Sequence, residues 1–180
     1  MDISDKAIEK AKELAVLTNS DSEFICCDIY DVLRYINKKF DIVFTSYGAI
    51  GWLPDLNKWG NIISRFLKPG GKFILVEFHP FIWMFDDNFT YIKYCYFNSG
   101  PIIESVEGTY ADKNSKIVQE YVNWNHSISE VINSLINNNL EINSFNEYDY
   151  SPYDCFNNTV ELAPGKYRIK HLDNKIPMVY

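Results

Sequence analysis

No long apolar run, no basic cluster and no metal-spaced set of cysteines and histidines occurs in this chain of 180 residues. Each absence removes a class of function. The apolar stretches all fall short of the ~18 residues that a membrane span requires. No apolar run follows a basic segment at the N-terminus, so no signal peptide is read there. Lys and Arg number 17 against 24 Asp and Glu, a net charge of −7. Nucleic-acid backbones and anionic membranes are recognised through Lys/Arg patches, so neither is expected as a partner. The four cysteines, Cys26, Cys27, Cys95 and Cys155, form no C-x-x-C pair, and adjacent residues of a strand point to opposite faces and do not bridge. With His79, His126 and His171 scattered along the chain, no metal site is expected. These features predict a cytoplasmic protein with reduced thiols.

What is present suffices for one domain over residues 1–180: 47% of the residues are hydrophobic, and the length allows a sizeable core. Ser4 is placed to cap a helix with Ala7, Ile8, Ala11, Leu14 and Ala15 at helical spacing. "EFICCDI" predicts a short buried strand over Phe24–Ile29, and "YDVLRYI" a brief helical or irregular connection. "FDIVFTS", Phe40–Ser46, is a stronger strand. Asp55 predicts an N-cap for a helix whose stripe is Leu56, Trp59, Ile62, Ile63, Phe66 and Leu67. Pro69-Gly70-Gly71 ends that helix and turns the chain. The run "KFILVEF" then has the continuous apolar character of a strand covered on both faces. This alternation argues an α/β fold.

Residues 81–125 break the rhythm. "FTYIKYCYF", "IIESVEGTY" and "IVQEYVNW", joined by "NSGP" and "DKNSK", read as an antiparallel, aromatic-rich insertion. "SISE", Ser127–Glu130, is a capping-box signature opening a helix with Ile128, Val131, Ile132, Leu135 and Ile136 on one face. "LEINSFNEY" and "KIPMVY" predict a closing antiparallel pair across an irregular stretch.

In an open parallel sheet, ligands bind outside the carboxyl ends of the strands. Here those ends are Asp2-Ile3, Asp28-Ile29, Ser46-Tyr47-Gly48 and Glu77-Phe78-His79. One carboxylate there can accept both ribose hydroxyls, and a second can accept an exocyclic amine of a purine. An adenosine would be held.

The blocks "DISDKAIEKAKE", "CCDIYD", "FDIVFTSYGAIGWLPDL" and "RFLKPGGKFILVEFHP", in this order and spacing, resemble a class I S-adenosylmethionine-dependent methyltransferase. The likeness covers residues 2–80, and the closing helix and strand pair look like one bacterial branch of that family. It implies a Rossmann-like methyltransferase sheet in the order 3-2-1-4-5-7-6, and S-adenosylmethionine as cofactor. It implies methyl transfer to a small-molecule acceptor. By the same likeness Asp2 and Ile3 lie at the ribose, Asp28 and Ile29 at the adenine, and Ser46, Tyr47 and Gly48 on the loop beneath the sulfonium. Tyr47 could face that positive charge, and His79 stands where such enzymes place an acceptor-contacting or basic residue. The family's first strand and glycine-rich loop would precede Asp2, so the domain is expected to be partial on its N-terminal side. An unpaired edge on the "FDIVF" strand would then favour self-association and weaken cofactor binding. The alternative is a methyltransferase-fold remnant, or an interaction module, that binds no cofactor.

Overall fold

The computed structural model describes residues 1–107 and 116–180. Helix α1 is Asp5–Leu17, with the Ser4 hydroxyl accepting the Ala7 N–H as expected. Its apolar face is barely used: Ile8 is buried, while Leu14, Val16 and Leu17 are exposed. The strand expected over Phe24–Ile29 reduces to one parallel bridge between Asp2 and Cys26. Two backbone hydrogen bonds make that bridge: Asp2 N–H reaches Ile25 O at 3.1 Å and Cys27 N–H reaches Asp2 O at 3.0 Å. A 3-10 turn over Ile29–Arg34 follows, capped by Asp28.

Strand β1 (Phe40–Thr45) pairs in parallel with β2 (Leu67–Leu75), and helix α2 (Leu56–Phe66) crosses between them. Asp55 caps α2 by accepting the Lys58 N–H at 2.8 Å. The predicted stripe is the buried one: Leu56, Trp59, Ile62, Ile63, Phe66 and Leu67. Pro69-Gly70-Gly71 ends the helix but lies within β2, as a loop-out in the register between Phe40↔Leu67 and Ile42↔Lys72. Helix α3 (Ile128–Ile136) packs on α2. Val131 and Leu135 of α3 join Trp59, Ile63 and Leu67 in one core. The crossing is tight at Gly60, where a Cβ would come within 2.5 Å of Ser134 O.

Beyond β2 the sheet becomes mixed. Glu77 and Tyr180 exchange backbone hydrogen bonds, His79 N–H donates to Met178 O, and Val179 bridges antiparallel to both Phe78 and Tyr148. The closing pair is therefore present in its expected place, although "LEINSFNEY" is irregular up to Tyr148. Two further antiparallel hairpins decorate the fold. One is β3 (Ile102–Glu107) with β4 (Val118–Asn123), inside the expected insertion. The other is β5 (Thr159–Ala163) with β6 (Lys166–Ile169), where irregular chain was expected. Its overlooked signal is the Pro164-Gly165 turn between two alternating segments. Conversely, "FTYIKYCYF" is no strand. The Asp86 carboxylate gathers the N–H groups of Asn88, Thr90 and Tyr91 and curls this segment into a loop. The Gly108–Tyr110 end of the next segment and most of the "DKNSK" turn lie outside the described residues.

The edge of β1 away from β2 pairs with no strand among the described residues. Ile42 (59% exposed) and Phe44 (58%) stand beside it, with Ile74 (44%) on β2. The helix crossing yields a direct test. Gly60→Ala should destabilise the fold by about 1–3 kcal/mol, because the obstructing atom is backbone and the core is already filled; thermal and denaturant unfolding measure this.

Candidate functional site

The carboxyl ends of β1 and β2 are tied together by one side chain. Glu77, 3% exposed, accepts the N–H groups of Gly48 at 2.5 Å and Phe78 at 2.7 Å on one oxygen. Its other oxygen accepts those of Ala49 at 2.8 Å and Ile50 at 3.1 Å. Burial raises the pKa of this carboxyl, and the four N–H groups oppose that shift only in part. The loop can converge on an anion because Gly48 adopts φ +72°, a left-handed conformation that costs glycine nothing. A Cβ on Gly48 would meet nothing within 4 Å, so its other side faces open space.

Asp28 is exposed and caps the turn after Cys27; one of its oxygens accepts the Tyr30 N–H at 2.8 Å. Asp2 is likewise exposed, with one oxygen accepting the Ser4 N–H at 2.8 Å. The second oxygen of each makes no hydrogen bond among the described residues, and so can accept from a hydroxyl or an amine. Ile3 is exposed at the start of α1, and Ile29 packs half-buried between two parts of the core. The Asp28–Tyr30 turn is fixed to the loop that leads into α2. The Tyr30 hydroxyl donates to Asp55 O at 3.0 Å and accepts Asp55 N–H at 2.9 Å. Ser46 is exposed at the end of β1, and Tyr47 is half-buried beside it.

Tyr47 and His79 are not brought together. The Tyr47 ring packs on Phe78 (centroids 5.5 Å) and Tyr153 (5.9 Å), and burial raises its phenol pKa. His79, the next residue after Phe78, points to the other side of the strand end. There it meets the Tyr180 ring at 5.9 Å. Both of its ring nitrogens are engaged: Nδ1 accepts the Phe81 N–H at 3.1 Å, which leaves Nε2–H to donate to Glu147 at 2.9 Å. In this arrangement the ring has no lone pair left for an acceptor's proton, and it works as a pin between the strand end and Glu147. Reading the sequence assigned no role to Glu77, Tyr30 or Glu147. For Glu77 a signal existed: an acid inside the apolar run "FILVEF".

Burial lowers the His79 pKa, and Glu147 opposes that shift. The folded state therefore binds this proton less readily than the unfolded chain, whose histidine titrates near 6.5. Stability tied to neutral His79 is complete above that value and is lost as pH falls below it. His79→Asn, which keeps an acceptor for the Phe81 N–H, should show a flatter loss of melting temperature between about pH 7 and pH 5 than the wild-type chain.

Comparison with known proteins follows the same line. A family profile described as a methyltransferase domain matches residues 1–147. No curated protein matches the chain. Among solved structures, an S-adenosylmethionine-dependent methyltransferase from Clostridium acetobutylicum ATCC 824 is similar at 15% identity and a TM-score of 0.53, over 98% of this chain and 71% of that one. A proposed S-adenosylmethionine-dependent methyltransferase from Listeria monocytogenes reaches a TM-score of 0.56 at 15% identity, over 98% and 74%. One from Mesorhizobium loti reaches 0.51 at 16% identity, over 82% and 65%. At such identities the structures speak for the fold, while the profile covers most of the chain. The chain belongs to the methyltransferase-domain family, and its α/β fold is that of S-adenosylmethionine-dependent methyltransferases.

Proposed function

We propose that the protein transfers a methyl group from S-adenosylmethionine to a small-molecule acceptor. The observation that carries this reading is the pair of exposed carboxylates, Asp2 and Asp28, each with an oxygen to spare, on the two segments that the Asp2–Cys26 bridge joins. They suit the hydroxyls of a ribose and the amine of an adenine, so the residues present fit the adenosine half of the cofactor. Asp2 and Ile3 would hold the ribose, and Asp28 and Ile29 the adenine. Ser46, Tyr47 and Gly48 would line the side facing the sulfonium, and the electron-rich Tyr47 ring would attract that charge.

When bound, the cofactor supplies an electrophilic methyl carbon. The chain contributes alignment and exclusion of water, which lower the barrier by making the encounter intramolecular. The packed rings of half-buried Tyr47 and buried Phe78, edged by the exposed Tyr153, provide the water-poor side. No helix among the described residues is long and apolar enough to cross a membrane. The four cysteines are unbridged, which fits the cytoplasm.

Calorimetric titration with S-adenosylhomocysteine tests the reading. Asp28→Ala should weaken that binding by about 1–3 kcal/mol, the cost of unpairing a ligand donor; equal binding by the variant removes Asp28 from the site. A second expectation concerns the open edge of β1, which we propose as a surface for self-association. Antiparallel pairing of two copies about Val43 would set Ile42 of each opposite Phe44 of the other. Ile42→Lys should shift the chain toward monomer in sedimentation, since an edge lysine blocks strand addition.

A further inference from the structure

Glu77 is a buried acid that the reading above does not use. Among the described residues, all of its carboxylate's hydrogen bonds come from main-chain N–H groups, three of them successive: Gly48, Ala49 and Ile50. Four converging donors need a group with four acceptor sites and no donor of its own. Among side chains only an ionised carboxylate offers that, whereas a glutamine of the same size would turn an NH₂ group toward the same N–H groups. Such charge-assisted bonds are short and directional. The loop they hold is the one on which Ser46, Tyr47 and Gly48 stand; the Gly48 N–H is turned to Glu77, while a Cβ there would meet nothing within 4 Å.

We propose, resting on the methyl-transfer reading, that Glu77 is the positioning residue of the donor site: its carboxylate fixes the Ser46–Ile50 backbone where the cofactor is to be met. The geometry also says what supports the anchor. The Glu77 backbone is held by Tyr180 through two reciprocal hydrogen bonds, each 2.9 Å from N to O. The Tyr180 phenol faces Glu77 from the C-terminal segment, and its ionisation is pushed far up by burial and by that acid. His79 lies two residues along the strand, and Tyr47 is the titratable residue of the loop itself. Neither the Tyr180 nor the Tyr47 phenol ionises in the acid range, so beside this loop Glu77 and His79 are the groups to separate, and the Asp2 and Asp28 carboxylates of the proposed adenosine site are told apart from Glu77 by their own carboxyl-carbon signals.

The test uses the whole chain and S-adenosylhomocysteine. In the wild type, the amide signals of Gly48, Ala49 and Ile50 should titrate together with the Glu77 carboxyl carbon. Affinity should fall as that carboxyl takes up its proton. Glu77→Gln should speed hydrogen exchange at those three amides by about tenfold or more, weaken binding by about tenfold, and remove the step in affinity that follows the Glu77 carboxyl carbon. Glu77→Asp, which keeps the charge, should recover part of the loss, and His79→Asn should leave the loop titration in place. Should Glu77→Gln fail to fold, the wild-type titration decides alone: amides that move apart from the carboxyl carbon overturn the proposal. Binding by Glu77→Gln within about twofold of wild type overturns it as well. A wild-type chain that shows the coupled titration yet binds no S-adenosylhomocysteine overturns the methyl-transfer reading itself, and with it the assignment of Glu77 to a donor site.

Discussion

The carboxylate of Glu77, closed over by the N–H groups of Gly48, Ala49, Ile50 and Phe78, is the interaction on which the site end of this molecule depends. It joins the end of β2 to the loop leaving β1, at the point where the sheet changes from parallel to antiparallel neighbours. Burying an ionised acid is costly. The chain offsets that cost with main-chain donors rather than a basic side chain, so the negative charge is met by dipoles whose positions the backbone fixes. Loss of the acid would leave several buried N–H groups without a partner, each a penalty of its own. Loop and strand end therefore stand or fall together.

The rest of the architecture holds that junction in place. On one face of the sheet lie α2 and α3, brought close enough by Gly60 for Trp59, Ile63, Val131 and Leu135 to share a core. On the other, Phe78, Ile82, Phe89, Ile169 and Met178 form a second apolar cluster, against which Tyr47 and Phe156 pack. The polar groups caught between elements are mostly satisfied over long distances in the chain. His126 Nε2 lies 2.8 Å from Leu53 O, and its Nδ1 lies 2.9 Å from the Glu130 carboxylate. That is also why the capping box at Ser127 closes only halfway: Ser127 accepts the Glu130 N–H, but the Glu130 carboxylate pairs with His126.

Faces matter as much as positions in the candidate site. Phe78 and His79 are neighbours in sequence, yet alternation along an extended strand sends the first toward Tyr47 and the second toward Glu147 and Tyr180. Tyr47 thus belongs with the loop and its aromatic wall. His79 belongs with the closing antiparallel segments, held as one tautomer by the Phe81 N–H and Glu147. Asp2 and Asp28, by contrast, remain at the surface with capacity to spare, because each is committed to its local turn through a single oxygen.

Sequence by itself determined what short-range physics decides. The caps at Ser4, Asp55 and Ser127 and the buried stripe of α2 follow from helical period and side-chain acceptors. Strands β1 and β2 follow from apolar, β-branched composition, and the ordered blocks around them carried the family. Where a segment had no extended partner, as at Phe24–Ile29, or was gathered by one acid, as at Asp86, strand-like composition was overruled. Only the tertiary structure decided the meaning of Glu77 and His79. Gly48 and Glu77 are 29 residues apart, and His79 and Glu147 are 68. Whether an acid in an apolar strand is buried and bonded, and which nitrogen of a histidine holds its proton, depend on partners that periodicity and composition cannot bring into view.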